Sequence, residues 1–234
     1  MRNRISAVVV LFLFPLIAFS QETSADAATQ STIAASLRKE FPDISPQYIQ
    51  AVADTPREPF IPESFRSLAG TNLDIPVLQD AIIPSPGLTV KMLHESGVWP
   101  GTSVLIIGKA CGYLGAAAAL LTEKVTVVEL SGELYRQYVS TYNELKISTV
   151  ALVDTLAGAA ETGFMFDVVI VHGATPVLPP EISSFLRPSG VLLLPITGES
   201  GYQNLLKIQY GNGLTVRSIG ESFFPLVQEL YQPD

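Results

Sequence analysis

The chain is poor in the residues that cross-link, ligate metal or carry charge. Its 234 residues include one cysteine, Cys111, so no internal disulfide can form. Two histidines and that cysteine are too few for a zinc cluster. Only 15% of the residues are charged, and 14 Lys and Arg face 22 Asp and Glu, a formal net charge of −8. Affinity for nucleic acid comes largely from neutralising phosphates, so this balance argues against a nucleic-acid partner. A membrane span takes about 20 apolar residues. The apolar stretch Ile5 to Phe19 has 15 and is interrupted by Pro15.

That stretch follows Arg2 and Arg4 and runs into Ala18-Phe19-Ser20, the layout of a secretory signal peptide over residues 1–20. It predicts an exported protein, periplasmic or extracellular, with no stable membrane insertion after cleavage. An uncleaved membrane anchor is the alternative. No cysteine lies near Ser20, which argues against a lipoprotein. Loss of the two arginines leaves 12 basic residues against 22 acidic ones. An exported chain without disulfides depends on its core, and with 47% hydrophobic residues this one is long enough to build it.

Residues 21–31, QETSADAATQS, are small and polar and read as a flexible leader. Helical spacing follows from Thr32 to Phe41, and Ser45-Pro46 opens a second helix through Ala53. A proline-rich stretch and the segment through Pro84 and Pro86 must be extended or turning. Leu88 to Ser96 is again helical. Residues 32–98 thus form a helical, substrate-side N-terminal region. From 99 to 234 the pattern alternates, with strands expected at 103–107, 124–129, 149–153, 167–171 and 190–195 and helices at 112–122, 132–145 and 180–186. Unbroken runs such as Asp167-Val168-Val169-Ile170-Val171 suit strands covered on both faces, as in a parallel sheet. Residues 203–227 lose the helices and read as antiparallel strands joined at Gly211-Asn212-Gly213. The fold class is α/β, a doubly wound Rossmann-like sheet with a helical N-terminal addition and antiparallel C-terminal strands.

Ligands of such a sheet bind beyond the carboxyl ends of its strands. After Ser103–Ile107 come Gly108-Lys109-Ala110-Cys111-Gly112-Tyr113, a glycine turn at the start of a helix, which permits close approach of a nucleotide-like ligand. Glu129 closes the next strand and can accept hydrogen bonds from a ribose, or simply start a solvated loop. Asp154 follows the third strand, where it can face an adenine amino group or favour a turn. His172, in HGATP after the fourth, is either structural or catalytic.

A series of landmarks in order resembles the protein-L-isoaspartate O-methyltransferase family: PREPFIP at 56–62, IIPSPGLTVKM at 82–92, VLIIGKACGY at 104–113, Phe166-Asp167 to Pro176, LRPSG at 186–190 running to Pro195, and FFPLV at 223–227. The resemblance implies a Rossmann-like methyltransferase using S-adenosylmethionine to esterify isoaspartyl carboxylates of damaged proteins or peptides. By that resemblance Gly108, Gly112 and Tyr113 pass the cofactor, Glu129 holds the ribose and Asp154 faces the adenine. Several positions depart from the family pattern. Its acidic residue on the first strand is Ile106, its central glycine is Ala110 with Lys109 beside it, and its catalytic serine aligns with Pro84, leaving Ser85 as the nearest hydroxyl. These departures define an alternative, a catalytically inactive methyltransferase-fold protein serving as an extracytoplasmic peptide- or protein-binding module. A third reading is methyl transfer to another acceptor, served by Ser85 and His172.

Overall fold

The computed structural model describes residues 24–161, 163–211 and 213–230. The segment read as a signal peptide lies outside them. The first helix, α1 (Ser24–Glu40), begins inside the stretch expected to be a flexible leader. Small polar composition suggested flexibility, but three of its first residues are alanines, the strongest helix formers. Helix α2 (Pro46–Asp54) starts with proline in its first turn, as Ser45-Pro46 predicted. Beyond it come two 3₁₀ turns, Glu58–Phe60 containing Pro59 and Glu63–Leu68 preceded by Pro62, and a small antiparallel hairpin of β1 (Ile75–Leu78), with Pro76, and β2 (Ala81–Ile83). Asp80 is at its tip.

After α3 (Pro86–Ser96) the chain enters the main sheet: β3 (Ser103–Gly108), α4 (Gly112–Ala119), β4 (Lys124–Glu129), α5 (Gly132–Glu144), β5 (Val150–Val153), α6 (Leu156–Glu161), β6 (Phe166–His172), α7 (Pro180–Ser184) and β7 (Leu186–Thr197). Two antiparallel strands, β8 (Gln203–Tyr210) and β9 (Leu214–Glu221), complete it. The seven strands lie in the order β5-β4-β3-β6-β7-β8-β9, the first five parallel. The short α6 was not expected; its six residues, LAGAAE, are too few to show a helical period.

Alternate residues of the apolar runs feed two cores. Val104, Ile106, Val168 and Ile170 face one cluster, and Leu105, Ile107, Val169 and Val171 face the other. The first cluster also takes Leu37, Ile49 and Val52 from α1 and α2. Residues on either side of position 98 therefore share one core. Strand order reverses at β3, whose sequential neighbour β4 lies to one side and β6 to the other. The crevice of a doubly wound sheet opens at that switch point, beyond the carboxyl ends. The glycine turn lies there.

Candidate active site

Two glycines of the turn are required by the protein's own packing. At Gly108, with φ 151°, a Cβ would lie 2.0 Å from the carbonyl oxygen of His172 on the neighbouring strand. At Gly112 it would lie 2.6 Å from the ring of Tyr138 on α5. Ala110 sits between them at φ 59°, the left-handed region that glycine enters without penalty. An alanine there costs about 1 kcal/mol. The turn thus keeps the shape of a glycine turn although its central glycine is absent.

Glu129 holds that shape. It is fully buried at the end of β4, and its carboxylate accepts from the backbone N–H of Ala110 at 3.2 Å, Cys111 at 2.9 Å and Ser131 at 3.1 Å. It therefore caps α4 from the adjacent strand, whose own N-cap residue, Cys111, offers no side-chain bond. The position on β3 where the family carries an acid is Ile106, paired with Val127 and Ile170 and wholly in the core. The carboxylate that anchors the turn comes from β4. Burial raises its pKa to about 7, against the lowering effect of the three N–H bonds. Burial and then the nearby Glu129 charge push the Cys111 thiol well up, so it is no nucleophile.

Lys109 closes the mouth. Its ammonium lies 2.6 Å from Asp80 on the hairpin tip and 2.7 Å from Glu229 in the C-terminal 3₁₀ turn, with its side chain only 11% exposed. His172 supports the same residue from below: its Nδ1 is 2.6 Å from the Lys109 carbonyl oxygen. A carbonyl only accepts, so Nδ1 carries the proton and Nε2 is a bare acceptor. That Nε2 is buried and has no protein partner. Burial lowers the ring's pKa to about 4, leaving it neutral. Asp80, Lys109, His172, Gly173, Phe224 and Val227 are among the residues lining a narrow cleft that holds no space even for a water molecule.

The remaining sequence candidates are spread around this edge. Ser85 heads α3, where its hydroxyl accepts from Leu88 N–H at 3.4 Å and its own N–H donates to Asp74 at 2.7 Å. Pro84 beside it is buried, its carbonyl held by Arg57 at 2.8 Å. Tyr113 is buried, with its hydroxyl on the Val52 carbonyl at 3.3 Å and Arg57 over its ring. Asp154 is exposed just after β5. Gly108, Lys109, Ala110, Glu129 and His172 meet at one turn, while Ser85, Tyr113 and Asp154 stand apart from it.

Three residues at this edge escaped the sequence reading. Buried Arg57 donates to the carbonyls of Thr71, Leu73, Ile83 and Pro84, tying down the segment before α3. Its place in PREPFIP was its signal. Asp80 and Glu229 carried none, since each becomes notable only by meeting Lys109.

The chemistry of these groups suits a nucleoside cofactor: a tight turn at a helix N-terminus, an acid at the end of β4 and an exposed Asp154 after β5. The space is closed. Small-molecule sites take roughly 300–1,000 Å³, whereas this cleft has no room for a water molecule, and the Glu129 carboxylate faces the turn's own N–H groups. A ligand of that size enters only when side chains at this mouth move aside.

The fold is that of Rossmann-like methyltransferases. A solved protein-L-isoaspartate O-methyltransferase matches with a TM-score of 0.75 at 20% identity, over 84% of this chain and 65% of that one. The chain thus spans about two-thirds of that structure. A putative protein-L-isoaspartate O-methyltransferase from Plasmodium falciparum, solved with S-adenosyl-L-homocysteine, matches with a TM-score of 0.72 at 17% identity, over 85% and 97%. Sequence narrows the class. The model of the protein-L-isoaspartate(D-aspartate) O-methyltransferase family matches residues 28–230, and a protein-L-isoaspartate O-methyltransferase of Sodalis glossinidius (strain morsitans) is 31% identical over 186 residues, 77% of this chain and 87% of that protein. The chain belongs to the protein-L-isoaspartate(D-aspartate) O-methyltransferase family.

Proposed function

We propose that this chain transfers a methyl group from S-adenosylmethionine to the free carboxylate of isoaspartyl residues in damaged proteins. The observation that carries the reading is the family match over residues 28–230, with the glycine turn at the switch point of the sheet. S-adenosyl-L-homocysteine in the Plasmodium relative supports the cofactor class. When bound, the cofactor supplies the electrophilic sulfonium methyl. The protein's task is alignment, because a carboxylate is already ionised and nucleophilic at neutral pH. Neither a serine at position 84 nor a titrating His172 is needed for that. The turn from Gly108 to Gly112, Glu129 once released from it, and Asp154 are the residues that would hold the cofactor.

Calorimetric titration of residues 21–234 with S-adenosylmethionine and S-adenosyl-L-homocysteine tests this first, followed by methyl incorporation into isoaspartyl and ordinary aspartyl peptides. Micromolar binding and ester formation on the isoaspartyl peptide alone are expected. No heat and no thermal shift at millimolar ligand would overturn it and leave an inactive binding module on an inherited fold. The reading includes export, on the strength of residues 1–20. N-terminal sequencing of the mature protein, expected to begin at Gln21, checks that part.

A further inference from the structure

We infer that Lys109 is a seat for a ligand carboxylate, which enters by displacing Glu229 or Asp80 from its ammonium group. The inference rests on the methyltransferase reading only for the identity of the ligand. Two sources share the chemistry: the free carboxylate of the isoaspartyl acceptor, and the α-carboxylate at the amino-acid end of the cofactor.

Lys109 is the second residue of the turn, at the carboxyl end of β3 where the crevice opens. Its ammonium already seats two carboxylates at 2.6 and 2.7 Å, supplied by segments remote from each other in the chain. One positive charge between two negative ones leaves a surplus negative charge. A third carboxylate must therefore replace one of the pair rather than join it. The partners are suited to leave. The side chains of Asp80 and Glu229 are 53% and 42% exposed, so either can rotate into water, whereas Lys109, at 11%, cannot follow. Exchanging one carboxylate for another on the same ammonium removes no charge pairing and leaves the second partner in place.

Burial opposes the charge on Lys109, but the hydrogen bonds and charges of Asp80 and Glu229 outweigh it, and the net shift is upward. Lys109 is the one cation in the lining of this cleft, and His172 lines it too, with the unpartnered Nε2 described above. A ligand bearing an N–H next to its carboxylate would find an acceptor there as well. Both ligand sources have that feature. The competing account is that Lys109 only ties the hairpin tip to the C-terminal turn.

The test is calorimetry on the purified wild-type protein and on Lys109→Met, Lys109→Arg and Glu229→Gln, with four probes. These are an isoaspartyl peptide, the same peptide with that carboxyl amidated, S-adenosyl-L-homocysteine, and 5′-methylthioadenosine, which lacks the amino-acid end. At least one carboxylate probe should bind wild type about tenfold or more tightly than its carboxyl-free counterpart, a charge-assisted pair in a partly buried site. Lys109→Met should abolish that difference, Lys109→Arg keep most of it, and Glu229→Gln widen it. The pair that shows the difference identifies the source.

Lys109→Met binding both carboxylate probes as tightly as wild type overturns the inference. So does the lack of any carboxylate preference in both wild type and Glu229→Gln, which retain Lys109 and decide the matter even where Lys109→Met misfolds. Carboxylate binding at Lys109 without methyl transfer to any isoaspartyl peptide would sink the proposed function and spare this inference. Methyl transfer with affinities independent of Lys109 would do the reverse.

Discussion

Two carboxylates at opposite ends of the same sheet make the same number of hydrogen bonds and respond to them in opposite ways. Asp167, at the amino end of β6, accepts from the N–H and the hydroxyl of Ser103, both at 2.8 Å, and from Arg187 at 2.6 Å. Glu129, at the carboxyl end of β4, accepts three backbone N–H bonds. For Asp167 partial burial opposes ionisation, but the bonds and charge from Ser103 and Arg187 win, and the pKa is lowered. For Glu129 burial is complete and no cation is bonded to it, so burial wins and the pKa rises to about 7. The number of hydrogen bonds does not decide the state of a carboxylate. Depth and a bonded cation do. The amino end of the sheet is a stable splice; the carboxyl end carries an unneutralised, turn-holding acid where a ligand would have to enter.

The comparison breaks most severely with Glu129→Ala, which strips a buried turn of the acceptor for three N–H groups. The expected loss is about 4 kcal/mol, a fall in Tm on the order of 10 °C, read by thermal melting at pH 7. Glu129→Gln removes the titrating group at the cost of at least one of the three N–H bonds, since an amide has a single acceptor oxygen, and so isolates the remaining pH dependence. Because the folded pKa of Glu129, about 7, is above the ordinary 4.5, its contribution is full below pH 4.5 and lost as pH rises through 7. His172 runs the other way: at about 4 against 6.5, its contribution is full above pH 6.5 and lost as pH falls through 4. The two slopes oppose between pH 4.5 and 6.5, where wild-type stability should be nearly flat. Glu129→Gln leaves His172 alone, and stability should then fall by about 3 kcal/mol as pH drops from 6.5 to 4, measured by denaturant titration. A flat profile in that variant would remove the electrostatic account of the turn.

At the other end the effect is smaller. Asp167→Asn should cost about 1 kcal/mol at neutral pH, since its side chain and that of Arg187 are 35% and 50% exposed. The lowered pKa means that this contribution is present above about pH 3.8 and is lost as pH falls through the folded value. Urea midpoints of variant and wild type should converge in acid. The smallest change sharpens the carboxyl end: Ala110→Gly relieves the left-handed alanine at φ 59° and should raise stability by about 1 kcal/mol in the same melts.

Much of the frame was legible because strands covered on both faces must be written in unbroken apolar runs. Val168 to Val171 and Val104 to Ile107 could hardly be anything else, and the strand assignments at 103–107 and 124–129 hold to within a residue. The start of α1 and the six residues of α6 were hidden, the first because alanine-rich helix and flexible leader share a composition, the second because six residues show no period. At the site, spacing singled out Gly108, Gly112 and Glu129, and Ile106 and Ala110 showed where the family pattern is missing. Spacing did not show that Glu129 would accept the turn's N–H groups, nor that Lys109 would meet Asp80 and Glu229.

By itself the sequence determined the fold class, the order of the elements, the family and the place of the turn, because hydrophobic period and local turn chemistry act over a few neighbouring residues. Only the tertiary structure decided the state of the site. The retained glycines answer to a carbonyl on β6 and a ring on α5, and the acid is occupied by backbone N–H groups some twenty residues before it. The lysine is held by two segments, one 29 residues before it and one near the end of the described chain. Burial and charge pairing depend on what the whole chain brings within a few ångströms, and no local pattern encodes that.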